Sequence, residues 1–205
     1  MRFEVNRFRF GTPPKEEDEH DGQGLPTPKL VRLRARRAAG IAEAKGVLTD
    51  LPGPGESLHC VVTHRMDLAD IITLILDRLG PCDRAAVATL GYNARTFRVM
   101  LRWLDKRMIT SLSLVASKFF RSHNGQLWET TQTEFSARGQ HCVCGPCHAK
   151  VVALHFATGV KLCLEGSSNL CSSGSSLEQF AVINDAALCD WHTGWIEGLV
   201  QKYGG

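Results

Sequence analysis

The sequence predicts an α/β fold, a mixed β-sheet held between layers of helix. Three observations predict it. From Ser57 onward, short apolar runs alternate with amphipathic helical segments, the order that layers helices on a sheet. Glycine and proline mark the boundaries between these segments. The chain has 205 residues, 43% hydrophobic and 22% charged, enough for one domain with its own core plus a tail.

Residues 1–55 read as an N-terminal arm and basic linker, partly flexible, and residues 56–205 as the domain. "MRFEVNRFRF" alternates apolar and polar side chains, as an edge strand or docking arm would. "GTPPKEEDEHDGQGLPTP" is acidic and rich in Pro and Gly, a linker composition. In "KLVRLRARRAAGIAEAKGVL", Lys29, Arg32, Arg34, Arg36 and Arg37 crowd together. They make either a solvated helix face or an arm that contacts phosphates, and the arm offers a route into a larger assembly. "DLPGPGE" then breaks the chain.

Within the domain, "LHCVVTHR" reads as a buried strand. "DLADIITLILDRLG" reads as a helix capped by Asp67 and stopped by Gly80. "AAVATL" is the next strand, and "NARTFRVMLRWLDKRM" a helix with Phe97, Met100, Leu101 and Leu104 on one side. "SLSLVAS" is a third strand and "GQLWETTQTEFSARG" a third helix, ended by Gly139. "HAKVVALHF" and "VKLCLEGSSNL" form a hairpin around Ala157-Thr158-Gly159. "QFAVIND" is the last strand and "AALCDWHTGWIEGLVQKY" the closing helix.

The net charge of +3 permits an anionic partner without demanding one. No apolar run approaches the roughly 18–20 residues that span a bilayer, so no membrane partner is expected. The N-terminus lacks the apolar core of a secretory signal, and the expected location is the cytoplasm. The eight cysteines then read as reduced thiols, with a metal site as the alternative.

The hairpin carries the chemistry. On a strand, His148 and Lys150 share a face, and Ser167 and Asn169 share one at the end of the next strand. Converging, these four would receive a phosphate: lysine brings charge, serine and asparagine neutral donors. A neutral histidine can attack phosphorus.

"HAK" at 148–150 and "GSSN" at 166–169 resemble the His-x-Lys and Gly-Ser-x-Asn parts of the phospholipase D superfamily motif, and the order of elements fits over roughly residues 57–200. The resemblance implies a phospholipase D-like sandwich. It implies catalytic roles for His148, Lys150, Ser167, Asn169 and Glu178, the glutamate supporting the histidine, with Ser168 at the substrate. The motif's aspartate falls on His155, and ten residues rather than six precede Gly166. The four extra residues divide as two per strand, which preserves alternation.

The resemblance implies a phosphohistidine mechanism with no cofactor and no metal, because lysine supplies the positive charge. The family needs a second histidine to protonate the leaving group. This chain holds one motif: "VVTHRMD" contains His64 but no matching lysine. A homodimer with two-fold symmetry is therefore expected. Single-motif relatives imply a nucleic-acid substrate, DNA ahead of RNA, and a resemblance to prophage and mobile-element members implies a place in defence. The alternative is a catalytically degenerate module that binds nucleic acid or a partner protein within a larger assembly.

Two further segments carry expectations. "HCVCGPCH" packs Cys142, Cys144 and Cys147 beside His141 and His148, either a zinc cluster or a turn lined with thiols leading into the catalytic strand. "SKFFRSHN" places Lys118, Arg121 and His123 with Phe119 and Phe120 where strand ends open onto a cleft, for substrate contact or ordinary loop packing. "WHTGW" reads as helix packing, and Trp103 and Trp128 as core or interface anchors.

Overall fold

A computed structural model describes residues 2–3, 45–46, 48, 50–62, 67–171 and 178–204. The acidic linker, the basic run from Lys29 to Arg37, His64 and the serine-rich loop at 172–177 lie outside the described residues.

The described strands form one eight-stranded sheet in the order β1-β2-β8-β7-β6-β3-β4-β5. They are β1 (Arg2–Phe3), β2 (Ser57–Val62), β3 (Cys82–Thr89), β4 (Ile109–Ser117), β5 (His141–Gly145), β6 (Val151–Phe156), β7 (Lys161–Gly166) and β8 (Glu178–Ile183). The helices are α1 (Leu68–Leu79), α2 (Ala94–Asp105), α3 (Lys118–His123), α4 (Gly125–Ala137) and α5 (Ala186–Tyr203). Strands β3, β4 and β5 run parallel, while β6, β7, β8 and β2 continue antiparallel from β3. The expected α/β architecture, a mixed sheet flanked by helices, is the one observed.

Alternation along the strands builds two cores. Ala85, Val87, Leu112, Leu114, Val152, Leu154, Leu162 and Leu164 face α1, α2 and α4 in the larger one. Ala86, Ala88, Val115, Val151, Ala153 and Cys163 face α5 in the smaller one. Helix α1 forms because Leu68, Ile71, Ile72, Ile75 and Leu76 recur at helical spacing and all are buried. Its first turn closes when Asp70 accepts from the Asp67 amide at 3.2 Å. Its end turns at Gly80, whose φ of 86° suits glycine. Trp103 and Trp128 are core residues, as expected, and the Trp103 indole donates to Thr73 Oγ1 at 2.9 Å.

Tail residues near the domain pack on it. Leu48 is buried in the larger core, and its carbonyl accepts from Arg78 at 2.6 Å. Arg2 and Phe3 pair parallel with Leu58 and His59 at the sheet edge, so the start of the alternating N-terminal run is a strand.

Three local expectations need correction. His141–Gly145 is a strand, not a thiol-lined turn, and pairs parallel with β4. Pro146 ends it, so His148 and Lys150 lie in the lead-in to β6 rather than within the strand. "SKFFRSH" is the short helix α3 rather than a loop, because Ser117 caps it by accepting from the Phe120 amide at 2.9 Å.

Candidate active site

One end of the sheet gathers the chemistry. The C-terminal ends of β3, β4, β5 and β7 and the N-terminal ends of β6 and β8 lie along it. His148 and Lys150 enter β6 there, and the Gly-Ser-Ser-Asn segment leaves β7 there. The two segments are joined by the backbone: the Gly166 amide donates to the Lys150 carbonyl at 3.4 Å.

Lys150 Nζ donates to the His148 carbonyl at 3.0 Å and lies 3.5 Å from His148 Nδ1, long for a hydrogen bond. His148 is exposed and Lys150 half-buried. A lysine at Nδ1 favours the proton on Nε2. Attack through Nε2 therefore asks the ammonium to swing from the ring to a bound anion.

Gly166 has a steric duty. A Cβ there would sit 2.1 Å from the Gln179 carbonyl oxygen and 2.7 Å from Phe180 Cα. Only glycine lets β7 approach β8 so closely. That approach brings Ser167 to the start of β8. The Ser167 amide donates to the Gln179 carbonyl at 2.9 Å, and its hydroxyl donates to the Glu178 carboxylate. The Gln179 amide donates back to Ser167 Oγ at 3.1 Å. Glu178 thus meets Ser167, the partner that sequence spacing did not suggest.

Register places Lys150 opposite Gly166, since Val151 pairs with Glu165. Strand alternation would send Ser167 and Asn169 to the other face, but both lie beyond the strand's end. Leu170 fixes them instead. It is buried, its carbonyl accepts from the Ala69 amide at 3.2 Å, and its amide faces Thr89 Oγ1 at 3.5 Å. Among the described residues, Ser168 Oγ and Asn169 Oδ1 are buried without a hydrogen-bond partner. Orphaned buried groups cost about 1–3 kcal/mol each unless a ligand or water pairs with them.

His155 lies at the other end of β6. Four residue steps, about 13 Å of strand, carry the chain from Val151 to it. Its ring bonds to Thr193 at 2.8 Å and lies 3.7 Å from Asp190, both on α5. The position of the motif aspartate therefore ties β6 to α5 and touches none of the residues at the motif end. Burial pushes the His155 pKa down.

The cysteines of "HCVCGPC" do not converge. Cys142 and Cys144 pack against the larger core, while Cys147 is buried in the smaller core across the sheet. Burial pushes Cys142 up to about 12 and Cys144 to about 11. The fold brings a different cluster together: Cys163, Glu165 and His192 hold ligand-type atoms within 4.8 Å of one another. Trp195 donates to His192 Nδ1 at 3.0 Å, which puts the imidazole proton on Nε2, where it meets Glu165. The chain Trp195–His192–Glu165 is a fixed hydrogen-bond relay pinning α5 to β7, and a metal at Nε2 would have to displace that proton. The period of "WHTGW" hints at helix packing but not at this partner on β7.

Lys118, Arg121 and His123 lie on α3 at the same end of the sheet, beyond β4. Two strand spacings, roughly 10 Å, separate β4 from β6.

No protein-family model matches the chain, and no curated protein matches it in sequence. Among solved structures, it is similar to Nuc of Salmonella typhimurium, a phospholipase D family member, at 15% identity and a TM-score of 0.47, over 70% of this chain and 93% of that one. It is similar to TrmBL2, an archaeal chromatin protein, at 9% identity and a TM-score of 0.46, over 85% of this chain and 63% of that one. It is also similar to yeast tyrosyl-DNA phosphodiesterase 1, at 12% identity and a TM-score of 0.38, over 60% of this chain and 31% of that one.

Proposed function

We propose that this chain is a phospholipase D-like phosphodiesterase that cleaves nucleic acid without a metal ion. The observation that carries the reading is the Gly166–Lys150 backbone bond, which sets the His-x-Lys and Gly-Ser-Ser-Asn segments side by side at one sheet end. A phosphate held there meets Lys150, and a turn of the buried Ser168 side chain would bring its unpaired hydroxyl to it. Both can donate to its oxygens and offset the charge that grows on them during attack.

In this reading His148 attacks phosphorus, the bond to the leaving oxygen breaks, and that oxygen takes a proton. Water then displaces the histidine and releases the phosphate ester. Glu178 acts through Ser167, holding the loop that presents Ser168 and Asn169. The single motif makes the acid the His148 of a second copy, so the active species is a homodimer. Replacement of the motif aspartate by His155 costs little here, because that position lies at the far end of β6.

The test is incubation of the purified protein with labelled DNA and RNA in EDTA. Cleavage by wild type and none by His148→Asn supports the reading. Mixing His148→Asn with wild type should lower activity by more than dilution, as mixed dimers would hold one histidine each. The second reading, a binding module without catalysis, is favoured by the exposure of His148 and its loose contact with Lys150. It predicts binding of nucleic acid with no cleavage under any of these conditions.

A further inference from the structure

We infer that α3 is a stacking platform for single-stranded nucleic acid, with Phe119 as the residue that takes a base. This rests on the nucleic-acid reading and narrows its substrate to an unpaired strand.

Phe119 is 61% exposed, while its neighbour Phe120 is 3% exposed and packs against Tyr92. One apolar residue in the open is ordinary. This one is held in place. Phe119 and His123 are a turn apart, with ring centroids 3.9 Å apart and planes 31° apart. The imidazole is itself fixed, because its Nδ1–H donates to the Phe119 carbonyl at 2.9 Å. One face of Phe119 is thus backed by a flat ring, and its exposure leaves the other to solvent. A rigid aromatic face of this kind stacks any base and costs little ordering entropy.

Positive charge lies on the same helix and at its contact with Tyr203. Lys118 and Lys202 both sit over the Tyr203 ring, at 5.9 and 5.5 Å from its centroid. Arg121 is exposed on the same short helix. Among the described residues, Lys118, Arg121 and Lys202 form no ion pair. Like charges that hold no ion-pair partner suit a run of phosphates. The helix follows β4, which lies two strands from β6 at the same sheet end. A strand stacked on Phe119 can run along that sheet end toward Lys150. Bases in a duplex are already stacked on one another, so the face serves an unpaired strand.

The experiment measures binding rather than cleavage. The full chain carrying His148→Asn is titrated into a fluorescein-labelled single-stranded DNA 20-mer, and into a hairpin duplex of the same sequence, at several salt concentrations. Adding Phe119→Ala should weaken single-strand binding about tenfold, Phe119→Trp should restore it, and duplex binding should not change. Adding Lys118→Ala with Lys202→Ala should lower the single-strand salt slope by about 1.4. Single-strand affinity that is unchanged by Phe119→Ala, or an equal loss on both probes, overturns the platform while leaving the nucleic-acid reading standing. A parent protein that binds neither probe overturns both.

Discussion

The Gly166 amide donates to the Lys150 carbonyl at 3.4 Å, and the same glycine is pressed against β8 with no room for a side chain. One residue therefore couples the His-x-Lys segment to Ser167 and Glu178. Gly166→Ala should force β7 away from β8. We expect a loss of about 1–3 kcal/mol in urea unfolding and loss of cleavage beyond what the stability change explains. Wild-type stability in this variant would show that the close approach is not needed.

A charged cluster supports the helix that anchors Leu170. Arg95 donates to Asp67 at 2.6 Å and to Asp70 at 3.1 Å, and both carboxylates are buried. Arg95→Ala should cost about 3 kcal/mol, the low end for a broken buried pair, because Arg95 is partly open to water. Thermal unfolding measures it. A change within 0.5 kcal/mol would place this cluster among surface ion pairs, at roughly the size they contribute.

Stability should fall in mild acid, and His155 should be one cause. Burial depresses its folded pKa below the ordinary value of about 6.5. The unfolded chain then binds the proton more readily, so its stabilising contribution is present above about pH 6.5. It is lost as pH falls through the depressed folded value. His155→Gln should flatten the stability profile over that window when unfolding is followed at several pH values. A profile as steep as wild type would assign the acid sensitivity elsewhere.

The thiols should be inert while the protein is folded. Burial pushes Cys82, Cys142 and Cys163 up to about 12 and Cys189 to about 11. Iodoacetamide at pH 7.5 should leave these unmodified in native protein, and peptide mass spectrometry should find all eight cysteines labelled after denaturation. Rapid native labelling of Cys142 or Cys163 would contradict the packing.

Much of the fold was legible because its elements carry strong periodic signals. The α1 stripe and the Gly80 stop are plain in sequence, and the hairpin turn falls at Ala157-Thr158-Gly159 as expected, with Gly159 at φ 85°. Strand β5 was not legible: "HCVCG" has one β-branched residue and sits beside Gly-Pro, so turn chemistry outweighed the alternation that buries Val143 and Gly145 and leaves Cys142 and Cys144 half-buried. At the site, the motif residues could be found, but not their pairings. The Ser167–Glu178 contact depends on how tightly β7 lies on β8, and the Glu165–His192–Trp195 relay joins positions far apart in the chain. Periodicity carries no record of such long-range contacts.

The most direct measurement asks whether His148 carries the phosphate. Wild-type protein turning over a labelled oligonucleotide in EDTA would be quenched in alkali, where a histidine phosphoramidate survives, and mapped by peptide mass spectrometry. The account predicts a nucleotide adduct on the peptide containing His148, absent from His148→Asn. Cleavage at full rate by His148→Asn, with no adduct in either protein, would contradict it.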